Sequence, residues 1–306
     1  MNLYILIGLS ASGKSTYAQT TLENCTYISS DKIREELSFY EDQSRNNEVF
    51  QILHKRVDNA LSNGEDVVVD ATNITIKSRK PIIEIGKKYK AKIIGILFVC
   101  PVASLQYYDS LREHSVGTEV ISKQLKKFEV PFIEEGFNDI KIKIECRLKY
   151  DHISLEGVKH MMKGFNQYNP HHKLDLWEHS YSVMKRFLRS DKRDAFDIDY
   201  LYGVLFHDIG KLLTQKFDND GVAHYYNHEN VGAYYFILCV KCNPDKYLLD
   251  DIYKDDVLLE NAFIINYHMR PFDWNTDKAY QKANDIFGWG GCYLLERFNK
   301  ADKESY

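Results

Sequence analysis

No stretch of this sequence approaches the roughly 20 consecutive apolar residues that a membrane-spanning helix needs. Its start, MNLYILIGLS, lacks a basic leader and a cleavage site, so this apolar run is expected to be a first strand and not a signal peptide. Positive charge is not in excess: 40 Lys and Arg stand against 44 Asp and Glu, a formal net charge of -4. No overall basic field therefore marks a nucleic-acid binder, although net charge hides asymmetry and leaves a local basic groove open. Paired cysteine motifs are also scarce. The six cysteines are scattered, which fits a reduced, cytoplasmic protein and excludes a disulfide-built scaffold. Cys239 and Cys242 form a lone CxxC inside the apolar stretch YYFILCVKC; without a second pair, a core helix is expected there and not a zinc site. Low-complexity linkers and internal repeats are absent.

What is present suits two modest domains. The 306 residues are 44% hydrophobic and 27% charged, ordinary for a globular chain, and each half can bury a core of its own. The character changes near residue 150. In the first half LYILIG (3–8), VVVDAT (67–72) and IIGILFVC (93–100) are short apolar runs, separated by amphipathic segments over 47–61 and 78–89. Buried strands alternating with helices predict an α/β domain, a parallel sheet with helices on both faces. In the second half Leu176, His179, Ser180, Val183, Met184 and Phe187 keep a helical period, as do Leu201, Val204, Leu205 and Asp208. That half reads as all-α, with 137–157 as the transition. Domains over 1–148 and 149–306 are expected.

The strongest motif is Gly8-Leu-Ser10-Ala11-Ser12-Gly13-Lys14-Ser15-Thr16, which fits G-x-x-x-x-G-K-[ST] between an apolar strand and a helix. Small residues let backbone N–H groups turn inward around phosphates, helped by the helix N-terminus. Lys14 brings a positive charge to the β- and γ-phosphates, and Ser15 offers a hydroxyl to Mg²⁺. ATP or another nucleoside triphosphate with Mg²⁺ is the expected ligand. The motif alone does not separate a kinase from an ATPase or a GTPase. Tyr27-Ile-Ser-Ser-Asp31-Lys-Ile-Arg34 lies where a second strand should end. There a carboxylate accepts the proton of an attacking hydroxyl, and an arginine one helical turn later holds an acceptor phosphate. Asp31 can equally cap a helix. Asp70-Ala-Thr-Asn73 follows the third strand at the same sheet edge, and Asp70 competes as base or metal contact.

These three pieces, GLSASGKST, SSDKIR and DATN, resemble the polynucleotide kinase branch of the P-loop phosphotransferases over about residues 1 to 140. The resemblance implies that Asp31 activates a 5′-hydroxyl and that Arg34 binds the acceptor's 3′ phosphate. It also implies a mobile lid after the fourth strand, here Pro101 to Pro131, with Arg112 reaching the donor phosphates. Arg112 aligns only with a one-residue shift, and Val116-Gly117 stands where Val-Pro is usual.

The second half centres on Leu205-Phe-His207-Asp208-Ile-Gly-Lys211, with His179 in LWEHSYSVMK, His228 in NHENVGA, His268 in NYHMRP and Asp302 in NKADKES. Imidazoles and carboxylates spread over several helices can converge on one metal, with an open position for a water that the metal acidifies. The order H179…H207-D208…D302 looks like the HD phosphohydrolase superfamily. Over about residues 157 to 303 the segments look especially like the HD domain of bacterial CCA-adding tRNA nucleotidyltransferases. That resemblance implies metal ligation by His179, His207, Asp208 and Asp302, with Lys211, His228 and His268 on phosphate or a second metal. The ion would be Mn²⁺, Ni²⁺, Co²⁺, Fe²⁺ or Zn²⁺. His171 and His172 match an NPHH-like element without a clear role, and His224 does not match the motif.

A 5′-hydroxyl kinase joined to a phosphohydrolase for 2′,3′-cyclic, 2′- or 3′-phosphates resembles the bacterial HD-domain polynucleotide kinases, although that family is associated with the opposite domain order. RNA or DNA ends are then the expected substrates, with a functional link to a ligase and no membrane partner. The alternatives are a nucleoside or sugar kinase fused to an HD nucleotidase, and a nucleotide-sensing regulator. Intact Lys14, Asp31 and HD residues argue against the regulator.

Overall fold

The computed structural model describes residues 1–37, 45–144, 154–169, 173–189, 199–242 and 250–305. The expected boundary at 148/149 and the His171–His172 element lie outside them. The chain divides into two compact units: Met1–Gln124 with Pro131–Leu148, and Leu125–Val130 with Lys149–Tyr306.

Apolar runs too short for helices become strands in the first unit: β1 (Asn2–Ile7), β2 (Thr26–Ser29), β3 (Val67–Asp70), β4 (Lys92–Val99) and β5 (Asp139–Ile144). They form one sheet in the order β2-β3-β1-β4-β5, every neighbour parallel. The intervening helices are α1 (Lys14–Thr21), α2 (Ser30–Glu36), α3 (Asn46–Ser62), α4 (Ile76–Lys88), α5 (Val102–Ser110) and α6 (Thr118–Leu125). Both faces are covered. Ala18 of α1 packs with Leu6, Val68, Ile94, Ile96 and Phe98. On the opposite face Gly86 of α4 lies against Leu3 and Ile93. The expected parallel sheet with helices is borne out.

One strand lies inside the stretch read as a transition. β5, DIKIKI, buries Ile140 and Ile142 and leaves Lys141 outside, the alternation of an edge strand. Nor is the stretch after β4 a single free loop. Asp109 at the end of α5 accepts hydrogen bonds from Ser115 Oγ (2.6 Å), Gly117 N (2.9 Å) and Val116 N (3.2 Å), which pins the turn before α6.

A buried ion pair ties α4 to the turn before β5. Arg79 on α4 donates through Nε and Nη2 to Glu135, at 2.7 Å each, and through Nη1 to Asn73 O at 3.1 Å. Arg79 is fully buried and the Glu135 side chain nearly so. Replacing Glu135 with alanine leaves a buried guanidinium uncompensated and should lower unfolding stability by about 3–5 kcal/mol, measured by denaturant titration.

The second unit is helical: α7 (Leu155–Met162), α8 (Leu176–Arg189), α9 (Leu201–Leu205), α10 (Lys211–Thr214), α11 (His228–Cys242), α12 (Asp255–Tyr267) and α13 (Asp277–Lys303). A two-residue hairpin, β6 (Lys216–Phe217) with β7 (Ala223–His224), is added to the expected all-α pattern. Val183, Phe187, Val204, Ile264, Phe298 and Ala301 form one core cluster. Cys239 is buried within α11, where burial and then the neighbouring Cys242 push its thiol up to about 12. The segment Leu125–Val130 belongs here by its bonds: Val130 N donates to Asn266 Oδ1 (2.7 Å) and Tyr267 Oη donates to Val130 O (2.8 Å). Among the described residues, no helix is long and apolar enough to cross a membrane.

Asp208 does not continue the helical period of Leu201. α9 ends at Leu205, and His207-Asp208 occupies the turn before α10. Gly210 explains the close approach that follows: a Cβ there would stand 1.9 Å from His228 O and 2.8 Å from Gly232 N on α11. Gly210→Ala should lower stability by about 3 kcal/mol or more, read as a fall in melting temperature.

Candidate functional site

Parallel strands end on one edge, and the register fixes what meets there. Leu6 of β1 and Ser29 of β2 both pair with Asp70 of β3. The three segments that follow these strands are thereby neighbours. Gly8 N donates to Thr72 O (2.9 Å), and Asn73 Nδ2 donates to Leu6 O (2.8 Å). At Gly8, φ is 157°, and a Cβ would meet Phe98 O at 2.8 Å, so only glycine fits. Ala11 holds the left-handed region at φ 63°, strain of the kind found at ligand-binding loops.

The loop opens on a cleft of about 520 Å³, lined by Ser10, Ala11, Ser12, Gly13, Lys14, Ser15 and Thr16 together with Asp31, Asp70, Tyr108 and Arg112. Lys14 Nζ donates to Leu9 O (2.7 Å), Gly8 O (3.0 Å) and Ser12 Oγ (3.3 Å). Burial lowers its pKa to about 8, against the opposing pull of Asp70 and Asp31 and with a small push from Arg112. α1 begins at Lys14, so its N-terminus points its free N–H groups at the same space.

Ser29 caps α2, its side chain accepting from Lys32 N (3.4 Å). Asp31 is thus freed from capping; its side chain is 56% exposed and faces Arg112 Nη2 at 3.5 Å. Arg112 also stands 3.5 Å from Asp109. Asp70 is buried and accepts from Tyr27 Oη at 2.6 Å. Burial, then Asp70, push the Tyr27 hydroxyl up to about 12. The cleft lining does not include Arg34. Its guanidinium is buried, Nη2 donates to Asn46 Oδ1, and Nη1 has no hydrogen-bond partner among the described residues.

Two contacts had no motif to announce them. Gln124 of α6 accepts from Ser10 N (2.8 Å) and donates to Ser10 Oγ (2.9 Å), which ties the phosphate loop to the segment after β4. The Tyr27–Asp70 bond is the other; both depend on distant partners that no local pattern encodes.

In the second unit His179 (α8), His207 and Asp208 (the α9–α10 turn), His228 (first residue of α11), His268 (C-cap of α12) and Asp302 (α13) converge, all buried. Asp208 is the hub. Its Oδ1 lies 3.1 Å from His228 Nε2 and 3.8 Å from His268 Nε2. Its Oδ2 lies 2.8 Å from Lys211 Nζ, 3.2 Å from His207 Nε2 and 3.7 Å from His179 Nε2. Asp302 Oδ1 is 3.1 Å from His179 Nε2. Two donor groups result, His179–His207–Asp302 and Asp208–His228–His268, the ligand atoms of each within 4.8 Å of one another. Lys211 is further held by Gln167 Oε1 at 2.9 Å. His224 sits apart, on β7 with Asp218 at 2.9 Å.

The donor set fits a divalent transition metal. His207, His228 and His268 each direct Nδ1 at a backbone carbonyl, of Val204 (2.9 Å), Tyr225 (2.9 Å) and Ile265 (2.8 Å). A carbonyl only accepts, so each Nδ1 donates a proton outward and each Nε2 is turned into the cluster, the orientation a metal-ligating imidazole needs. His228 Nε2 and His268 Nε2 lie 3.3 Å apart, a separation that lets both reach one cation. Burial, then His228 and His207, push His268 down to about 3. Burial opposes the ionised form of Asp208, but Lys211 and His207 outweigh it and hold the carboxyl well below its usual range.

Comparison with known proteins bears on the first unit. Residues 3–131 match the family described as AAA domain. This part of the chain is a kinase-like P-loop domain. An L-seryl-tRNA(Sec) kinase from Methanococcus maripaludis is 26% identical over 162 residues, 49% of this chain and 61% of that protein. A bifunctional polynucleotide phosphatase/kinase from Schizosaccharomyces pombe is 26% identical over 165 residues, 49% of this chain and 35% of that protein. The chain thus spans less than two thirds of either relative. A solved Chloroflexus aurantiacus structure, provisionally named a kinase, superposes with a TM-score of 0.40 and 15% identity, over 47% of this chain and 84% of that one.

Proposed function

We propose that the chain heals nucleic-acid ends, with a 5′-hydroxyl kinase in the first unit and an HD-type phosphohydrolase in the second. The observation that carries the reading is the pairing, in one chain, of a phosphate-loop cleft edged by an exposed Asp31 with a buried six-residue His/Asp cluster. The polynucleotide phosphatase/kinase relative supports the acceptor.

In the kinase cleft, the loop N–H groups and Lys14 hold the triphosphate of ATP, and the Ser15 hydroxyl is placed to hold Mg²⁺. Asp31 takes the proton of the 5′-hydroxyl, since Asp70 is committed to Tyr27. Arg112, beside Asp31, offsets charge on the transferring phosphoryl group. Arg34, buried outside the cleft lining, would meet an acceptor phosphate only if its surroundings opened. A divalent ion bound in the helical unit would acidify a water and polarise the phosphate ester. His179, His207, Asp208 and Asp302 would hold it; Lys211 orients Asp208, and His228 with His268 would provide the second donor group.

The test supplies RNA and DNA oligonucleotides bearing 5′-hydroxyl and 3′-phosphate or 2′,3′-cyclic ends, with ATP and Mg²⁺, then Mn²⁺, Ni²⁺ or Co²⁺. Labelled 5′ ends and released phosphate are expected, and a 5′ end that stays unlabelled overturns the kinase reading. Asp31→Ala should cut 5′ labelling by about 10²–10⁴-fold and spare phosphate release. A second reading, favoured by the seryl-tRNA kinase relative, puts the acceptor hydroxyl on a charged tRNA; adding that substrate to the same assay separates the two.

A further inference from the structure

Nothing in the two sites accounts for one face of the helical unit. α8 and α13 run antiparallel: His179 meets Asp302 at one end, and Arg297 donates to Phe187 O (3.0 Å) towards the other. Between their outer sides lies a groove of about 420 Å³ whose lining includes Lys185, Arg186, Arg189, Arg297, Lys300 and Glu304. Five cations therefore face one carboxylate, in a chain whose formal charge is -4. Arg186 stands 3.9 Å from Glu304, and Arg297 stacks on Phe187 at 4.4 Å. Among the described residues, Lys185, Arg189 and Lys300 have no carboxylate partner. Concentrating this much like charge costs self-repulsion, which a polyanion removes.

Aromatic pairs flank the groove at both ends. On α13 the rings of Trp289 and Tyr293 stack at 5.4 Å with a 10° interplanar angle, and Trp289 is 72% exposed. Positions 289, 293, 297 and 300 follow the spacing of one helical face, so the stack leads directly into Arg297 and Lys300. On α8 Trp177 and Tyr181 stack at 6.2 Å and 16°, and Lys185 lies 4.3 Å over the Tyr181 ring. Aromatic faces alternating with cations are what a single strand needs, for bases and phosphates in turn.

We propose that this face binds single-stranded nucleic acid, its phosphates along the basic groove and a base on the Trp289–Tyr293 stack. The proposal deepens the reading above, on which its choice of polymer rests. From Trp289 to Lys300 the helix rises about 16 Å, room for about five stacked nucleotides. Asp302 is buried on the other side of α13, so the groove is a holding surface and not part of the metal cluster.

The test is fluorescence anisotropy with a dye-labelled single-stranded 12-mer blocked at both ends, which neither proposed activity can turn over. Trp289→Ala should weaken binding about tenfold. The triple variant Lys185→Glu, Arg189→Glu, Lys300→Glu should weaken it further and reduce the slope of log Kd against log salt by about 2. Melting temperature and bound metal should match the wild type in both. Unchanged affinity and salt slope in the folded triple variant would overturn the proposal. So would a Trp289→Ala protein that changes only its sedimentation, since the face would then join two copies of this chain. Loss of kinase or hydrolase activity in the parent protein leaves this outcome readable, because the probe is never a substrate.

Discussion

Lys14→Met should reduce ATP-dependent labelling by about 10²–10³-fold while the fold persists, because it removes one charged donor from a preorganised phosphate site. Methionine keeps the length of the buried stem that Lys14 threads past the carbonyls of Gly8 and Leu9. The pH dependence gives a second signature. Burial sets the free-enzyme pKa of Lys14 to about 8. A bound triphosphate brings negative charge to the ammonium and raises that value. Below pH 8 the lysine is already protonated and affinity does not depend on its proton. Above pH 8 binding must take up a proton, so affinity falls by up to about tenfold per pH unit. Calorimetry in buffers of different ionisation enthalpy should detect that uptake in the wild type and not in Lys14→Met.

How much of this was readable in advance divides along physical lines. Contiguous apolar runs announced β1, β3 and β4, because strands buried on both faces need no polar alternation. β5 escaped because an edge strand alternates, and DIKIKI has half its residues charged. The phosphate loop was legible since its chemistry is local: nine consecutive residues carry it. Gln124 was not, since its value lies in reaching Ser10 from 114 residues away. Periodicity placed Asp208 on a helix, but α9 ends at Leu205 and Asp208 lies in the turn that brings Gly210 against α11. The segment Leu125–Val130 belongs by sequence position with the first half and by hydrogen bonds with the second. No pattern in six residues betrays such an exchange. The aromatic ladders on α8 and α13 were visible in principle as Trp-x₃-Tyr-x₃-cation, but their meaning depends on two helices lying antiparallel.

Asp208→Ala should abolish both donor groups at once, a larger effect than any other single change in the cluster. Each carboxylate oxygen serves a different set: Oδ1 faces His228 and His268, and Oδ2 faces His207, His179 and Lys211. Removing the carboxylate leaves Lys211 as a buried charge facing imidazoles, which repels any cation as well as removing its ligand. Metal content, measured by elemental analysis after dialysis, should fall to background, and phosphate release by about 10³-fold or more. Asp302→Ala is the discriminating control. It touches only the His179–His207 group, so the Asp208–His228–His268 group should keep its ion. Equal metal loss in both variants would mean one shared site and not two. Labelling of 5′ ends should survive in each, because every residue of the cluster belongs to the second unit and every residue of the phosphate loop to the first.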